Sequence, residues 1–351
     1  MTRKFHIADT IIDDASECYV IAEIGHNHMG SVETCKQMFG IAKEKGASAV
    51  KIQKRDNQKL FTRAMFNQVY DNPESYGKTY GEHREYLEFD DVQFTELKEY
   101  ADEIGIHFFS TAFDLSSADF LANLDLPCFK VASGDLTSLP LLKYLAEFQK
   151  PMIISTGGAK LDDVRRAVET IAPINHNFAI LQCTSGYPAA YEELNLRVIQ
   201  TYRNEFPDNV IGWSGHDNGI AMSLVAYVLG ARIIEKHFTL NRANKGTDHK
   251  FSLEPVGLGK MIRDLQRTTV ALGDGVKVPY QSEIGPMRKM RKQLVAAFDL
   301  TSGTVLASEH IAMKSPFVEG SLNPQEYDNL LGRTLKVDLA EDSSFSYDML
   351  D

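Results

Sequence analysis

The stretch ARIIEKHF, residues 231–238, begins as a short apolar run and ends in Glu235, Lys236 and His237. An apolar run such as ARII is typical of a buried parallel strand, and such strands usually end in turn residues. Ionisable side chains at that place indicate a strand whose carboxyl end faces a ligand. If the strand belongs to a parallel sheet, its neighbours should end in polar residues as well.

Seven further runs have the same strand character, and segments of helical periodicity such as residues 32–46, 91–105 and 161–173 lie between most of them. Eight alternating strands and helices predict an α/β fold, a (β/α)8 TIM barrel. An open doubly wound sheet is the alternative, but no Gly-rich dinucleotide loop follows the first strand. The seven runs are YVIAEI at Tyr19, SAVKIQ at Ser48, IHFFST at Ile106, CFKVAS at Cys128, PMIIST at Pro151, FAILQC at Phe178 and VIGWS at Val210.

Two segments depart from this alternation. Residues 57–90 join the second strand to the next helix with far more residues than a βα loop needs, which is typical of a substrate loop or lid. After residue 285 the alternation stops, and the stretches DLTSGTVLASEHI from Asp299 and DLAEDSSFSYDML from Asp338 share one pattern. This internal repeat predicts a small β-rich domain. The predicted domains are therefore the barrel, residues 1–285, and the small domain, residues 286–351.

Composition excludes some classes of partner. Acidic residues outnumber basic ones by 48 to 37, which argues against a nucleic-acid backbone or an anionic membrane surface as a general partner. No run reaches the roughly 18 apolar residues of a membrane span. The four cysteines are scattered and form no CxxC motif, which is typical of a reducing compartment. We therefore expect a soluble, cytoplasmic protein.

All eight predicted strands end in polar side chains, and none ends in a bulky aliphatic one. A cap or a satisfied core lysine explains one polar end, but not eight in succession. Because the active sites of TIM barrels lie at the carboxyl ends of the strands, these residues form the predicted site. They are Glu23; Lys51 and Gln53; Ser110 and Thr111; Lys130 and Ser133; Ser155 and Thr156; Thr184, Ser185 and Tyr187; Ser214 and His216; and Glu235 and His237.

The residue types at the strand ends indicate a chemistry. Lys51 and Lys130, together with several hydroxyls, are suited to binding a phosphate or a carboxylate. His216 and His237 follow neighbouring strands and can bind one divalent metal ion, with water in the open positions. The two glutamates of the set can orient a metal-bound water or hold sugar hydroxyls; the alternative is that they simply pair with nearby lysines.

A metal-dependent amidohydrolase and a non-catalytic binding barrel are the two alternatives to this interpretation. The motif GHNH contains His26 and His28 in HxH spacing, which together with Lys130 suggests a metal-dependent amidohydrolase. That class also places histidines at the fifth and sixth strand ends, where this sequence reads STGG and QCTSG. The second alternative is a barrel that binds a sugar or a metal without turnover. The presence of both anion-binding and metal-binding groups at the strand ends argues against it.

Several motifs resemble, in order and spacing, those of the sialic acid synthases, which condense phosphoenolpyruvate with an N-acetylmannosamine-type sugar. The C-terminal part, through LLGRTLKVDLAEDSSF, resembles their antifreeze-like (SAF) domain. The resemblance covers essentially the whole chain. It implies a carbon–carbon bond-forming transferase and a homodimer in which each small domain covers the partner's site. The motifs are AEIGHNHMG, AVKIQK, FKVASGD, ISTGG, LQCTSGYP, GWSGHD, and EKHFTL followed by GTDHKFSLEP.

The resemblance also implies a role for each matching residue. His216 and His237 would bind Mn²⁺ or Mg²⁺, and the catalytic residues would be Glu23, Lys51, Lys130 and Glu235. The residues implied to bind phosphoenolpyruvate are Lys51, Gln53, Ser110, Thr111, Lys130, Ser133, Ser155, Ser185 and Ser214. Those predicted to bind the sugar are Glu23, Tyr187, Asp248, Lys78 and Arg84.

Two departures from the pattern of bacterial members concern the sugar. Ser315 stands where free-sugar members carry an arginine that reaches the N-acetyl group, and Asp135 stands where many have glutamate. Both features, with the loop YGKTYGEHREYLEF, are closer to the animal-type enzyme, which uses a sugar 6-phosphate. The expected acceptor is N-acetylmannosamine 6-phosphate, with the free sugar and mannose 6-phosphate as alternatives. Candidate cations for the second phosphate are Lys59, Arg63, Lys78, His83, Arg84, Arg242 and Lys245.

Overall fold

The computed structural model describes residues 3–351, which form two compact units. The first unit ends at Gly273, and the second comprises Asp274–Asp351. The division predicted between residues 285 and 286 falls inside the second unit. Residues 274–285, which the sequence predicts as part of the barrel domain, therefore belong to the C-terminal unit.

Eight parallel strands of the first unit form a closed barrel in the order β10-β3-β4-β5-β6-β7-β8-β9. This confirms the predicted TIM barrel and excludes the open sheet, because β10 pairs with β3. All eight predicted strands are present. The strands of the chain are β1 Lys4–Ile7, β2 Thr10–Asp13, β3 Tyr19–Gly25, β4 Ala49–Lys54, β5 His107–Ala112, β6 Phe129–Val131, β7 Met152–Ser155, β8 Phe178–Cys183, β9 Ile211–Gly215, β10 Ile233–His237, β11 Gln293–Ala296 and β12 Ile311–Lys314.

Helices cover the outside of the barrel, as the helical periodicities predict. The segment predicted at residues 91–105 is helix α5, which begins with a capping box between Asp90 and Gln93 and ends at Gly105 with a positive φ of 66°. The helices are α1 Val32–Glu44, α2 Asn57–Leu60, α3 Arg63–Phe66, α4 Tyr80–Leu87, α5 Asp91–Ile104, α6 Leu115–Asn123, α7 Leu139–Glu147, α8 Leu161–Ile171, α9 Val198–Glu205, α10 Ala221–Val228, α11 Pro255–Leu272, α12 Gln281–Met290 and α13 Tyr327–Leu330. None of the helices described for residues 3–351 is long and apolar enough to cross a membrane.

The barrel interior is built in layers because alternate residues of each strand point inward. The lower layers are apolar, and Ile21, Leu181 and Ile233 belong to one buried cluster there. Two residues further along β3 and β10, the same inward face carries Glu23 and Glu235. The change from apolar to polar side chains along each strand therefore places the site at the carboxyl ends.

Two features of the first unit are absent from the sequence prediction. The hairpin β1–β2 precedes the barrel, and its residues Phe5, Ile7 and Ile12 are buried in the cluster that fills the barrel interior. The long insertion predicted at residues 57–90 contains the short helices α2, α3 and α4, which were not predicted. A local period is hard to detect in elements as short as four residues.

The second unit confirms the predicted internal repeat. Leu300 and Leu339, the second residues of the two repeats, exchange backbone N–H···O hydrogen bonds of 2.7 and 2.8 Å. The aspartates that begin the repeats act in the same reciprocal way: Asp338 accepts from the Ser302 amide and Asp299 accepts from the Glu341 amide. The two repeats thus stabilise each other across an approximate two-fold axis.

Gly212 of β9 is required by the tight interior of the barrel. A Cβ atom at this position would lie 2.3 Å from Leu181 Cδ2 and 2.5 Å from the Ile233 carbonyl oxygen. We predict that Gly212→Ala lowers the free energy of unfolding by about 3 kcal/mol, because the backbone of β10 must move. Gly134→Ala is the control: its Cβ meets nothing within 4 Å, and its effect should stay within about 0.5 kcal/mol. Urea unfolding of both variants measures this, and equal stabilities would contradict the packing argument.

Candidate active site

A cavity of about 500 Å³ lies at the carboxyl ends of the barrel strands. Most of the residues predicted from the strand ends line it, together with Arg84 from α4 and Asp248 from the loop after β10. A concave polar cavity at this face is the usual location of a TIM-barrel active site. The predicted residues that line it are Glu23, Lys51, Gln53, Arg84, Thr111, Lys130, Ser133, Ser155, Ser185, Tyr187, Ser214, His216, Glu235, His237 and Asp248.

Four charged side chains form the floor of the cavity. Lys51 Nζ lies 2.6 Å from Glu23 Oε2 and 3.9 Å from Glu235 Oε2. Lys130 Nζ lies 3.9 Å from Glu235 Oε1. All four side chains are buried, so the two lysines and two glutamates compensate one another in a region of low polarity.

The two glutamates differ in acidity. Burial raises the pKa of Glu23 despite the opposing charge of Lys51. Burial also disfavours the charged form of Glu235, but the charges of Lys130 and Lys51 and a hydrogen bond from Ser214 outweigh it and hold its pKa at about 2. Neighbouring carboxyls with separated pKa values are typical of acid–base sites. Glu235 therefore remains ionised, and Glu23 is the carboxyl that can carry a proton.

Hydroxyl groups complete the surroundings of the lysines. Lys51 donates to Thr111 Oγ1 at 3.0 Å, and Lys130 donates to Ser155 Oγ at 2.6 Å. The Gly157 amide donates to Ser133 Oγ at 2.9 Å, and a Cβ on this glycine would lie only 2.0 Å from Ser185 Oγ. Two cations with convergent hydroxyls form a site for a small molecule that carries carboxylate or phosphate groups.

The two histidines lie next to each other, with ring centroids 5.4 Å apart. His216 Nδ1 donates to the Thr184 carbonyl at 2.9 Å, which leaves the Nε2 lone pair available. His237 is buried, its Nδ1 has no hydrogen-bond partner, and burial lowers its pKa to about 3, so the ring is neutral. Burial lowers the pKa of His216, but its contacts with Cys183 and the Thr184 carbonyl outweigh this effect and raise the pKa. In their neutral form, imidazoles with free lone pairs suit a divalent metal ion. Among residues 3–351, however, no group of three or more His, Cys, Asp or Glu is arranged to hold a metal, so any metal here must keep open positions.

Four predicted residues lie outside the cavity. The strand-end hydroxyls of Thr156 and Thr184 donate to the carbonyls of Leu181 and Glu193. The other two, Ser110 and Lys78, were assigned to substrates. Ser110 precedes Thr111 on β5, and neighbouring strand residues point to opposite faces. Its hydroxyl donates to the Ile52 carbonyl at 3.2 Å instead of facing the substrate region. Lys78 is exposed in the 57–90 insertion, where its backbone joins the turn before α4. Neither position supports the contact with a substrate that the resemblance implies.

The structure adds residues that the sequence analysis did not assign to the substrate site, since His26 was considered only as part of the HxH motif. Arg55 and His26 line the cavity, and Cys183 at the end of β8 faces it as well. Gly157 belongs to the motif ISTGG, and the structure shows why a glycine is needed there: a Cβ atom would collide with the side chain of Ser185. Of the seven cations considered for a second phosphate, Arg84 alone lines this cavity within the described chain.

The HxH motif does not form a joint metal site. His28 stacks on Phe89 with a centroid distance of 4.1 Å, and its Nδ1 accepts a hydrogen bond from the Gly30 amide. Burial lowers the pKa of His28 to about 3. His26 instead contacts Arg55 and Arg84 at the rim of the cavity. The motif therefore combines a structural histidine with one that faces the cavity.

Comparisons with known proteins show which families the chain resembles. The model of the NeuB family matches residues 38–277, and that of the SAF domain matches residues 291–351. The chain is 40% identical over 334 residues to human N-acetylneuraminate-9-phosphate synthase, covering 95% of this chain and 93% of the relative. It is 33% identical to N,N'-diacetyllegionaminic acid synthase from Legionella pneumophila, covering 95% of each.

A solved structure gives the same result for the fold. The crystal structure of N-acetylneuraminic acid synthetase from Leptospira borgpetersenii, in complex with citrate, superposes with a TM-score of 0.71 at 29% sequence identity. The match covers 82% of this chain and 96% of the other. The family match excludes the amidohydrolase interpretation of the HxH motif.

Asp135 gives a testable pH dependence. Burial raises its pKa to about 6, although Arg55 opposes the shift, and its Oδ2 has no hydrogen-bond partner. The folded state therefore retains a proton that the unfolded state has lost, and stability falls as pH rises through this window. We predict that Asp135→Asn matches the wild type in melting temperature near pH 4 and exceeds it by about 1–2 °C near pH 7. A difference that does not change with pH would contradict the assignment.

Proposed function

The chain belongs to the NeuB family, and on that premise we propose that it condenses phosphoenolpyruvate with N-acetylmannosamine 6-phosphate and water, giving a sialic acid 9-phosphate and inorganic phosphate. The observation that carries the proposal is the buried pair Lys51 and Lys130, with convergent hydroxyls, beside two imidazoles with free lone pairs. The human and mouse relatives at 40% identity, both N-acetylneuraminate-9-phosphate synthases, support the phosphorylated acceptor.

The proposed reaction forms one carbon–carbon bond and breaks one carbon–oxygen bond. C3 of phosphoenolpyruvate attacks the aldehyde carbon of the open-chain sugar, and the aldehyde oxygen takes up a proton. Water adds to the cationic C2 and releases a proton. The resulting tetrahedral intermediate loses inorganic phosphate by cleavage of the C2–O bond, which leaves the keto group of the product.

The floor residues have complementary tasks in this proposal. Lys51 and Lys130 bind the anionic groups of phosphoenolpyruvate and stabilise the departing phosphate. Glu235, ionised in the cavity, stabilises the positive charge at C2 and orients the attacking water. Glu23, with its raised pKa, carries the proton that the aldehyde oxygen requires.

His216 and His237 would hold a divalent ion such as Mn²⁺ or Mg²⁺. Such an ion supplies Lewis acidity towards a carbonyl oxygen. The residues fit this task because His216 Nδ1 is held by the Thr184 carbonyl, so the ring presents Nε2 in a fixed direction. Tyr187 packs against His216 with a centroid distance of 4.2 Å and restricts the ring further.

Ser315 favours mannose 6-phosphate as a second candidate acceptor. The resemblance places an N-acetyl-binding arginine at this position in free-sugar members, and a serine cannot replace its charge. The side chain of Ser315 donates to the Met290 carbonyl in its own unit.

The resemblance also suggests a homodimer, and sedimentation at twice the chain mass of 39.3 kDa is the corresponding check.

We predict the highest turnover with a phosphorylated sugar. The assay offers phosphoenolpyruvate and Mn²⁺ with N-acetylmannosamine, N-acetylmannosamine 6-phosphate and mannose 6-phosphate in parallel. Phosphate release and product mass are followed. Turnover of the free sugar alone would contradict the proposed acceptor, and no turnover with any of the three would contradict the proposed function.

Replacement of His237 tests the metal-binding assignment. We expect His237→Ala to lower Mn²⁺-dependent turnover by about 100-fold or more, because one of the two imidazole ligands is lost. The exposed His176 provides the control, and His176→Ala should retain full activity. Far-ultraviolet circular dichroism checks that both variants are folded. Full activity of a folded His237→Ala protein would rule out its function as a ligand.

A further inference from the structure

Two arginines meet one histidine at the rim of the cavity. Arg55 directly follows β4, Arg84 belongs to α4, and His26 follows β3. Arg55 Nη1 lies 2.9 Å from His26 Nε2, and Arg84 Nη1 lies 3.1 Å from His26 Nδ1. A guanidinium donor therefore faces each nitrogen of the same ring.

The ring cannot accept both hydrogen bonds. A neutral imidazole carries one N–H and one lone pair, so one of the two contacts places a donor against a donor. Protonation would make both contacts unfavourable, and burial together with the charges of Arg55 and Arg84 lowers the pKa of His26 well below its usual value. At least one guanidinium N–H in this cluster thus lacks an acceptor within the chain.

The positive charge of this cluster has no carboxylate in direct contact. Within residues 3–351, no carboxylate oxygen lies within 4.0 Å of the guanidinium group of Arg55 or Arg84, and Glu88 and Asp248 act on Arg55 only from further away. Arg55 is only 7% exposed, and its guanidinium stacks on the Phe113 ring at 3.8 Å. Burial and the charge of Arg84 lower its pKa to about 10. A buried cation such as Arg55 without a close counter-ion is costly, so this arrangement is typical of a site completed by an anionic ligand.

The cluster is separate from the floor but belongs to the same cavity. Gln53 connects the two regions, because its amide donates to Glu23 Oε1 at 2.9 Å and its carbonyl oxygen accepts from Arg55. Lys51 and Lys130, with their hydroxyls, can bind the carboxylate and phosphate of one phosphoenolpyruvate. The two arginines on the other side of Gln53 form a second cationic region that these groups do not use.

We propose that Arg55, Arg84 and His26 form a subsite for the terminal phosphate of the acceptor sugar, and that this subsite determines the preference for a phosphorylated acceptor. The proposal deepens the proposed function and rests on it for the identity of the acceptor. Two guanidinium groups can bind the phosphate oxygens in bidentate fashion. His26 then no longer faces two donors, so that one of Nδ1 and Nε2 can donate a hydrogen bond and the other can accept one. An anion at this place compensates the charge that the chain leaves unpaired.

The test compares Arg55→Gln, Arg84→Gln and Arg55→Lys with the wild type. Each neutral variant should raise the KM for the sugar 6-phosphate about 10- to 100-fold and change the KM for phosphoenolpyruvate less than about three-fold. Arg55→Lys keeps the charge but loses the planar fork, so an intermediate increase is expected. Arg267→Gln, at an exposed arginine of α11, is the matched control and should leave both constants unchanged.

The outcomes separate this subsite from the proposed function. An increase in the KM for phosphoenolpyruvate alone would assign the arginines to that substrate and overturn the proposal, as would unchanged constants in folded Arg55→Gln and Arg84→Gln proteins. If the wild type turns over no acceptor, the proposed function fails by itself. In that case the subsite is tested by calorimetric titration, which measures the affinity for N-acetylmannosamine 6-phosphate in the absence of phosphoenolpyruvate. Weaker binding by the neutral variants than by the wild type supports the subsite, and equal binding overturns it.

Discussion

The site depends on the mutual compensation of four charges buried in the upper layer of the barrel. Lys51 lies between Glu23 and Glu235, and Lys130 approaches Glu235 from the other side. A charge at this depth without a partner costs several kcal/mol, so the loss of one member leaves another uncompensated. These side chains come from β3, β4, β6 and β10, and they meet only because the sheet closes on itself. The site is therefore complete only when the barrel is closed.

This compensation distinguishes the two places where we propose that the cavity binds anions. The floor is electrically balanced by its own glutamates, and burial raises the pKa of Glu23. Protonation of Glu23 would free Lys51 for an incoming anion. The rim lacks such close pairs, because the guanidinium groups of Arg55 and Arg84 contact a histidine, an amide and a tyrosine hydroxyl instead of carboxylates. In this proposal the lysines of the floor exchange a glutamate for the ligand, whereas the arginines of the rim gain their first anionic partner from it.

The sequence predicted what depends on local periodicity. The eight strands, the long helices and the polar strand ends follow from alternation and from short apolar runs, and the structure contains all of them. The direction of Ser110 could have been derived from the same alternation, since Thr111 beside it points inward. Arg55 could not be predicted, because its burial depends on Phe113, which lies 58 positions later in the chain, and on α4. Gly157 was visible as part of ISTGG, but the close approach of Ser185 is a contact between separate strand ends. The hairpin β1–β2 fills the barrel interior through four-residue strands that are too short for a periodic signal.

The central claim is that the polar upper layer of the barrel is a phosphoenolpyruvate site distinct from the arginine pair at the rim. A crystal structure of the protein with phosphoenolpyruvate and Mn²⁺, without an acceptor, tests it most directly. The account predicts phosphoenolpyruvate between Lys51 and Lys130, within hydrogen-bond distance of Thr111 and Ser155, with Arg55 and Arg84 still against His26. Phosphoenolpyruvate bound to Arg55 and Arg84, with Lys51 and Lys130 still paired to the glutamates, would contradict it.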